Sequence, residues 1–433
     1  MAVRKPVAVE IFTYQVGFGD CFLLRFVYAK MARHVLIDFG TTGLPPTAEA
    51  GRMLVIAKDI AEKCGGKLDV VVATHRHADH ISGFATKGGA GSGDIIAALA
   101  QDALVLQPWT EAPDLAVDAT GPLTDDRQGF AARRTSLAAM QALSAALVDD
   151  LEAQRPRGMA AATIDQLAFI GRDNIANVSA VENLMSMGKQ RTYAYHGLAV
   201  KLAKWLPGVN LRVLGPPTLQ QSETIRKQRS SDADEFWQMA PQRLADATAL
   251  GAGREELFPG HPFARASKLP MEVRWFARRI EAASGDQKLS LVRTLDKAMN
   301  NTSLILLFES GGKKLLFPGD AQIENWAYAL AQPGVADLLA GVDLYKVGHH
   351  GSRNATPKTL WNGFAKRGGR SKKDRMTSLL STMPGKHGSS DEGANTEVPR
   401  SILVSALTAE TDLHATHLLD VAQLSDVVRL ALR

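Results

Sequence analysis

Apolar runs in the N-terminal part of the chain alternate with turn residues in a pattern that predicts strands and one helix. Short runs rich in β-branched and aromatic residues, each ended by glycine or a polar cluster, are typical of strands. The predicted strands are 7–12, 21–26, 34–38 and 68–74. Helical apolar spacing over about 48–63, stopped by Gly65 and Gly66, predicts a helix before the last of them. Strand, helix and strand in this order predict a layered α/β fold.

The same kind of pattern returns near Asn300 and continues to about residue 407. Two apolar runs flank Gly311-Gly312, which is the arrangement of a β-hairpin. The strands predicted here are 302–309, 313–317, 342–347 and 378–383, and the helices are 323–331 and 399–407. The fold is therefore expected to be α/β, with most of its core in two separated blocks of chain.

The stretch between the two blocks, about 110–300, has a different pattern. It is rich in alanine and leucine and poor in strand signals, apart from a short run at 211–214 closed by Gly215-Pro216-Pro217. Helices are predicted at 133–154, 177–187 and 271–283. We interpret this stretch as core strands interrupted by a largely helical insertion. The whole chain, 1–433, is then a single domain.

Composition agrees with a globular protein. Hydrophobic residues make up 45% of the 433 residues and charged residues 22%, which is ordinary for a folded domain. Cys21 and Cys64 are the only cysteines, which excludes a disulfide framework. No apolar run is long enough to span a bilayer, and the N-terminus lacks the apolar stretch of a signal peptide. The simplest expectation is a cytoplasmic protein without a membrane segment.

The net charge of +5 is small for this length, but the positive charge is locally concentrated. The segment 366–375, KRGGRSKKDR, carries six basic residues against one acidic residue. One interpretation is a solvated surface loop, because runs of like charge usually repel and stay hydrated. The other is a loop that contacts the phosphates of a polyanionic partner.

The segment Thr74-His75-Arg76-His77-Ala78-Asp79-His80 is the strongest chemical signal in the chain, and it follows a predicted buried strand. Imidazole and carboxylate groups are the ligands that suit Zn²⁺, Mn²⁺ or Fe²⁺. His75 and His77 are two residues apart, so in extended backbone both face one side and can hold one ion. Asp79 and His80 lie on the following turn and can reach a second ion. With only 11 histidines in the chain, a chance cluster of surface histidines is the weaker interpretation.

Two later strand ends can supply further ligands, since α/β folds place their sites at the carboxyl ends of strands. The first is Gly319-Asp320, where Asp320 can bridge two ions through both of its carboxylate oxygens. The second is Gly348-His349-His350-Gly351-Ser352, where His349 or His350 can complete the second site. A plain turn aspartate is the alternative for Asp320 taken alone.

These motifs resemble a known family. His-x-His-x-Asp-His, then Gly-Asp, then Gly-His-His-Gly-Ser is the pattern of metallo-β-lactamase-fold hydrolases, and the chain looks like the hydrolase domain of ComEC-type competence DNA-uptake proteins. That group also carries a Val-Gly-Gln-Gly-Asp turn, a Leu-Ile-Asp-x-Gly strand end and an Asn-x-x-Ser segment. Here they are matched by 16–20, 36–40 and 300–303. The resemblance covers about 1–110 and 300–407.

The resemblance implies a four-layer αββα sandwich whose metal ions lie at one edge between two sheets. It implies two Zn²⁺ sites, with Mn²⁺ as an alternative, and Asp38 as a buried support for the site. The chain departs from the family where many members carry a further ligand histidine in Gly-His-Thr. Asn300-Asn301 stands there instead, and His196 is the one other attractive histidine.

A second departure lies near the C-terminus. The subgroup often has an asparagine followed by His-Pro, whereas 395–399 reads Asn-Thr-Glu-Val-Pro in this chain. Lys386 and His387, in the loop after the last predicted strand, are candidates to contact a substrate anion or protonate a leaving group. Asn300 is a further candidate substrate contact. The alternative for Lys386 and His387 is a polar surface loop.

The function predicted from these residues is metal-dependent hydrolysis. Two ions about 3.5–4 Å apart lower the pKa of water towards roughly 7, so that hydroxide can attack a phosphorus or carbonyl centre. Asp79 and Asp320 are expected to orient that nucleophile, and His350 or His387 to stabilise charge or protonate the leaving group. The leading hypothesis is a phosphodiesterase or nuclease acting on nucleic acid or a nucleotide-like substrate. Hydrolysis of a non-phosphate ester, lactone or amide and a non-catalytic metal-binding module are the alternatives, because a fold does not fix its chemistry. A homo-oligomer is compatible with the sequence.

Overall fold

The computed structural model describes residues 5–112, 121–122, 178–222, 300–387 without 353 and 355, and 397–433. The helices predicted at 133–154 and 271–283 lie outside the described residues, so the largely helical character of the insertion stays a prediction. The helix predicted at 177–187 is confirmed, as Val178–Ser186.

Thirteen strands of the described residues form two mixed sheets. The first sheet has the order β13-β1-β2-β3-β4-β5-β6, and the second has the order β12-β11-β10-β9-β8-β7. The strands of the first sheet are β1 Ala8–Tyr14, β2 Cys21–Val27, β3 Ala32–Phe39, β4 Val70–Val72, β5 Leu104–Pro108, β6 Gln190–Ala194 and β13 Ser425–Ala431. Those of the second are β7 Asn210–Gly215, β8 Ile305–Ser310, β9 Lys313–Phe317, β10 Leu344–Lys346, β11 Thr377–Leu380 and β12 Asp412–Ala415.

Helices pack against both sheets. In chain order they are α1 Arg52–Lys63, α2 Ala78–Ile81, α3 Ser92–Leu99, α4 Val178–Ser186, α5 Ile323–Leu330, α6 Val335–Ala340, α7 Lys358–Gly363 and α8 Ser401–Glu410. Helix α1 illustrates why a helix packs on a sheet. Ile56, Ala57 and Ile60 form one buried apolar stripe, as expected of an amphipathic helix. No helix among the described residues is long and apolar enough to cross a membrane.

The side chains of β1 and β2 alternate between two cores, because successive residues of a strand point to opposite faces. Val9 and Ile11 belong to a cluster shared by the two sheets. Phe12 and Tyr14 belong to a second cluster with helices α1, α3 and α4. Both faces are therefore buried, which explains why the sequence of these strands is nearly continuously apolar.

The second sheet is divided in the same way. Leu306 and Phe308 join the cluster between the sheets, whereas Ile305 and Leu307 join a third cluster with the helices that follow β9. Two sheets thus share a central core, and each carries helices on its outer face. The predicted α/β class is confirmed by this arrangement.

Several elements lie where the sequence did not predict them. The elements that were not predicted are strands β5, β6, β12 and β13 and helices α2, α3, α6 and α7. Strand β13 is the clearest case: its alternation is weak, and it owes its conformation to antiparallel pairing with β1, in which Val428 lies opposite Ile11. That partner is more than 400 residues away, so the pairing cannot be seen in any local window.

Parallel pairing brings the loops that carry the motif residues to one edge. Strands β3 to β6 are mutually parallel, as are β9 to β12. The carboxyl ends of β3, β4, β9 and β10 lie at a shared edge of the two sheets, where Leu304 N donates to the carbonyl of Thr74 at 3.0 Å and links them. α/β folds place their sites at such an edge.

Candidate metal centre

Four fully buried side chains meet at this edge. The ligand atoms of Asp79, His80, Asp320 and His350 all lie within 4.8 Å of one another. His80 Nε2 is 3.1 Å from Asp320 Oδ2 and 3.8 Å from Asp79 Oδ1. His350 Nε2 is 2.7 Å from Asp79 Oδ2. The first sheet supplies two members of this cluster and the second sheet supplies the other two.

The loops that carry the cluster are tightly packed. Asp79 and His80 lie in the short helix α2 that follows β4, where a turn was predicted, and both side chains are fully buried. A Cβ added to Gly40 would lie 2.5 Å from His80 N, so only glycine allows this approach. Asp20 N donates to the carbonyl of Asp79 at 2.9 Å. The glycines of the two family-like motifs are therefore needed for close backbone contact.

Backbone strain is concentrated at the same place. Four non-glycine residues in the described part of the chain have a positive φ, and three of them are Asp38 (55°), His349 (45°) and His350 (51°). Such conformations cost about 1–3 kcal/mol each and persist where the surroundings over-determine them, often at functional sites.

Asp38 holds the imidazole of His80. Its carboxylate accepts hydrogen bonds from Thr74 N and Thr74 Oγ1, both at 2.7 Å, and lies 2.8 Å from His80 Nδ1. A neutral His80 that donates through Nδ1 presents the lone pair of Nε2 to the cluster, which is the arrangement found behind metal-binding histidines. Asp38 is thus buried and hydrogen-bonded to His80, the contact that a supporting role requires, although Asp20, Asp38 and His80 also form a second group that could hold a metal ion.

His350 is oriented in the same way. Its Nδ1 donates to the carbonyl of Ser381 at 3.0 Å, which leaves Nε2 towards Asp79. His349 is only half-buried, with Nδ1 2.7 Å from Ser352 Oγ, and it lies outside the cluster. Of the two predicted alternatives, the structure therefore brings His350 to the cluster, while His349 contributes its backbone N–H to Asp320 Oδ1 at 2.9 Å.

His75 and His77 form an adjacent pair. His75 Nε2 lies 3.0 Å from His77 Nδ1, and the ring of His75 is 4.2 Å from that of His80. Burial, and then the neighbouring His80 and His77, hold the pKa of His75 well below its ordinary value. A neutral imidazole is the form that binds a metal ion.

A buried ion pair flanks the cluster on its other side. The ammonium of Lys346, 2% exposed, contacts Asp20 and lies 3.1 Å from Asp320 Oδ1 and 3.0 Å from the carbonyl of Gly319. The sequence did not predict Asp20 or Lys346 as site residues. Asp20 ends the Val-Gly-x-Gly-Asp turn, and Lys346 lies shortly before the Gly-His-His segment. Their positions next to these motifs are the only feature of the sequence that could have identified them as site residues.

The cluster has the electrostatics of a cation site. Burial by itself lowers the pKa of His80, but Asp320, Asp79, Asp38 and Asp20 together raise it well above its ordinary value. Burial likewise lowers the pKa of His350, and its hydrogen bond to Asp79 and the charges of Asp320 and Asp20 raise it. Both histidines thus attract protons when no other cation is near.

The residues fit a divalent ion. Asp79 Oδ1, His80 Nε2 and Asp320 Oδ2 are buried and find no hydrogen-bond partner among the described residues. Among the described residues, Lys346 is the one lysine or arginine that pairs with any of the four fully buried carboxylates Asp20, Asp38, Asp79 and Asp320, and it contacts Asp20 and Asp320. Burying unpaired charge is costly, so a neutral-histidine centre requires further positive charge. The buried carboxylate and imidazole atoms are those that Zn²⁺ and Mn²⁺ bind.

The other predicted site residues lie further out. The ring of Phe18 lies between His350 and His387, with centroids 4.3 Å and 4.8 Å away. Burial, and then His349 and His350, lower the pKa of His387 to about 4. Lys386 is exposed and lies against Gly43. This lowered pKa favours the neutral form of His387 near pH 7.

Asn300 and His196 have different surroundings. Asn300 is fully buried, and its Oδ1 and Nδ2 have no hydrogen-bond partner in the part of the chain that the structure describes. It precedes Ser303, whose Oγ accepts from Asp320 N at 3.2 Å. His196 donates through Nδ1 to the carbonyl of Leu214 at 2.9 Å and packs on Tyr328. The structure does not bring His196 to the cluster.

The basic run lies at the opposite edge of the second sheet. It precedes β11, whose four residues separate it from the cluster, and at about 3.3 Å per residue the two edges are ~10 Å or more apart. Arg375 pairs with Asp412 at 3.0 Å and Lys366 with Asp343 at 2.7 Å. This run does not line the cluster.

Replacing Asp38 by asparagine is expected to weaken binding of a divalent ion, because the amide no longer holds His80 Nδ1 as a carboxylate does. Changes to such outer partners typically cost about 10–100-fold in metal affinity. Competition with a chromophoric chelator measures this, with Asp343→Asn as a control that changes a buried aspartate at the far edge of the sheet. An unchanged dissociation constant in Asp38→Asn would contradict the supporting role.

No protein-family model matches the chain, and a search of curated proteins finds no significant match.

Proposed function

We propose that this protein is a metal-dependent hydrolase, most specifically a phosphodiesterase. The observation that carries the proposal is the meeting of Asp79, His80, Asp320 and His350 in one buried cluster with unpartnered ligand atoms. Mixed imidazole and carboxylate ligands are typical of catalytic sites, whereas closed structural zinc sites prefer cysteine. This favours an enzyme over a binding module with a structural ion.

The contacts of the motif residues support the family resemblance. Asp20, Asp38 and Ser303 belong to the three additional ComEC-like segments, and each contacts a member of the cluster or its Lys346 anchor. Residues far apart in the sequence thus serve one site, as expected of related motifs with a shared role. Two sheets with helices on their outer faces are compatible with an αββα metallo-β-lactamase sandwich, which we propose as the fold.

The chemistry follows from what the residues hold. Asp79, His80, Asp320 and His350 would hold one ion, and His75 and His77 would provide two nitrogens for a second. A divalent ion of this kind lowers the pKa of water towards roughly 7 and offsets negative charge on a phosphoryl group.

The protein's own residues then orient the reactants. Asp79 and Asp320 accept hydrogen bonds from an attacking water and fix its direction. Asp38 and the Ser381 carbonyl keep the two imidazoles in place. His387, beside Phe18, is placed to donate a hydrogen bond to a substrate oxygen, and Lys386 adds positive charge at the exposed rim.

A substrate panel tests the proposal. Protein purified without chelator and loaded with Zn²⁺ or Mn²⁺ is expected to hydrolyse bis-p-nitrophenyl phosphate and at least one of single-stranded DNA, RNA or a cyclic nucleotide. Less than about a tenth of an ion per chain after reconstitution would contradict a tightly held ion of the kind that such catalysis requires. If the protein hydrolyses a lactone, ester or amide and no phosphodiester, the phosphodiesterase proposal is wrong. The alternative, a hydrolase of non-phosphate esters, lactones or amides, is then supported.

Serine substitution of Arg370, Lys372, Lys373 and Arg375 separates small from polymeric substrates. Because the run lies away from the cluster, turnover of bis-p-nitrophenyl phosphate is expected to stay unchanged. If the substrate is a polymer that reaches this surface, its affinity falls and depends less on salt, since each neutralised phosphate releases counterions. A loss of turnover on the small substrate would show that the run acts on the site itself.

A further inference from the structure

The two carboxylate oxygens of Asp320 have different surroundings. Oδ1 accepts a hydrogen bond from His349 N at 2.9 Å and lies 3.1 Å from Lys346 Nζ. Oδ2 has no hydrogen-bond partner among the residues described, and it lies 3.1 Å from His80 Nε2 and 3.8 Å from His350 Nε2. One oxygen is thus held by the protein and the other faces the cluster, in contrast to the expectation that both oxygens bind ions.

We propose that Lys346 is a positioning residue of the centre: its ammonium, anchored by Asp20, holds Oδ1 of Asp320 and so presents Oδ2 alone to a metal ion. The proposal rests on the proposed function only in taking the cluster to be a metal centre. Asp320 is then a ligand through a single oxygen, which is placed between the imidazoles of His80 and His350.

The surroundings of the ammonium explain why a lysine serves here. An ammonium has three N–H donors and no acceptor, and three oxygens surround Nζ: a carboxylate oxygen of Asp20, Oδ1 of Asp320 and the carbonyl of Gly319. Two of these contacts are hydrogen bonds, to Oδ1 of Asp320 and to the Gly319 carbonyl, and the contact with Asp20 is an ion pair, so three oxygens hold the side chain although it is only 2% exposed. A buried ion pair is stable only when such additional hydrogen bonds accompany it.

Two effects of Lys346 on a bound ion oppose each other. Its positive charge repels the ion, so removing the charge alone would tighten binding. Its hydrogen bond to Oδ1 orients Asp320, so removing the bond weakens binding. The direction of the change in affinity therefore tells which effect dominates.

The test is the dissociation constant for Zn²⁺ or Mn²⁺ in Lys346→Met, measured by competition with a chromophoric chelator. Methionine keeps much of the volume but loses the donors and the charge. We expect affinity to fall about 10–100-fold, the usual cost of losing an outer partner of a metal ligand. Affinity equal to or tighter than that of the wild type would overturn the proposal.

Lys346→Gln guards against a variant that does not fold. Its amide still donates to Oδ1 but lacks the charge that Asp20 anchors, so the orienting hydrogen bond is retained in part. Metal binding in Lys346→Gln is therefore expected to be tighter than in Lys346→Met, and binding no tighter than in Lys346→Met overturns the proposal.

Lys366→Met is the matched control, because it breaks a lysine–aspartate pair with Asp343. Asp343 lies just before the N-terminal end of β10, whereas Lys346 is at the C-terminal end. It is expected to leave the dissociation constant unchanged. An equal loss in this control would mean general destabilisation of the strand and would also count against the role of Lys346.

The outcome is independent of turnover. Failure of the proposed function appears as a metal-loaded wild type that hydrolyses no phosphodiester, whereas failure of the present proposal appears only in the metal affinities of the variants. Circular dichroism of each metal-free variant confirms that affinities are compared between folded proteins.

Discussion

Asp79→Asn is expected to lose phosphodiester hydrolysis by more than about 100-fold, since changes to outer partners alone already cost about 10–100-fold and Asp79 is itself in the cluster. The carboxylate supplies Oδ1 near His80 and Oδ2 to His350. Asparagine keeps the volume but loses the charge and one acceptor, so a metal ion is held less well and an attacking water is no longer oriented.

The fold is expected to survive this change. The link between Asp79 and the glycine-rich turn is a backbone hydrogen bond, from Asp20 N to the Asp79 carbonyl, which the substitution leaves in place. Steady-state kinetics and circular dichroism of the loaded protein measure the two effects separately. Asp343→Asn serves again as the control for a buried aspartate. Turnover of Asp79→Asn close to that of the wild type would mean that the cluster does not carry the reaction.

Removal of the metal ion is expected to destabilise the fold, and the loss of stability is expected to be larger at higher pH. In the metal-free protein the pKa values of His80 and His350 are raised above the ordinary value by the carboxylates around them, against the effect of burial. Groups with a raised folded-state pKa stabilise the fold below their unfolded pKa of about 6.5, and this contribution is lost as pH rises through the folded pKa. The metal-free protein therefore becomes less stable as the pH rises above the unfolded-state pKa of about 6.5.

The metal-loaded protein behaves in the opposite way. Its histidines must be deprotonated to bind the ion, so affinity rises with pH. An ion present at 100 times its dissociation constant stabilises the fold by about 2.7 kcal/mol. The pKa values of Asp79 and Asp320 are lowered despite their burial, by His80 in both cases and by His350 and Lys346, so these carboxylates stay ionised throughout this range and do not alter the trend.

Thermal unfolding from pH 6 to pH 9, with and without metal, measures this difference. The gap in Tm between the loaded and the metal-free protein is expected to widen steadily with pH. His196→Gln is the control, because His196 packs on Tyr328 outside the cluster, and it should leave the trend unchanged. A gap that is constant or narrows with pH would show that these histidines do not exchange protons for a metal ion.

The sequence by itself determined the residue types of the cluster and most of the elements that carry them. His75, His77, Asp79 and His80 follow a short continuous apolar run rich in valine, which is typical of a buried strand, so this element could be predicted from a local window. Gly311-Gly312 identified the hairpin of β8 and β9 for the same reason. Asp320 was a weaker signal, since a glycine–aspartate pair alone is an ordinary turn.

Only the tertiary structure decided which groups face one another. His350 enters the cluster whereas His349 stays half-buried, although both residues take left-handed backbone conformations after β10. Lys346 and Asp20 are more than 300 residues apart, and their pairing depends on how the two sheets pack. The basic run 366–375 is a clear charge pattern in the sequence, but the parallel strands place it at the sheet edge away from the cluster. Local periodicity in the sequence specifies helices and strands. The distances and charges of a site depend on how those elements pack against one another, which a local sequence pattern does not specify.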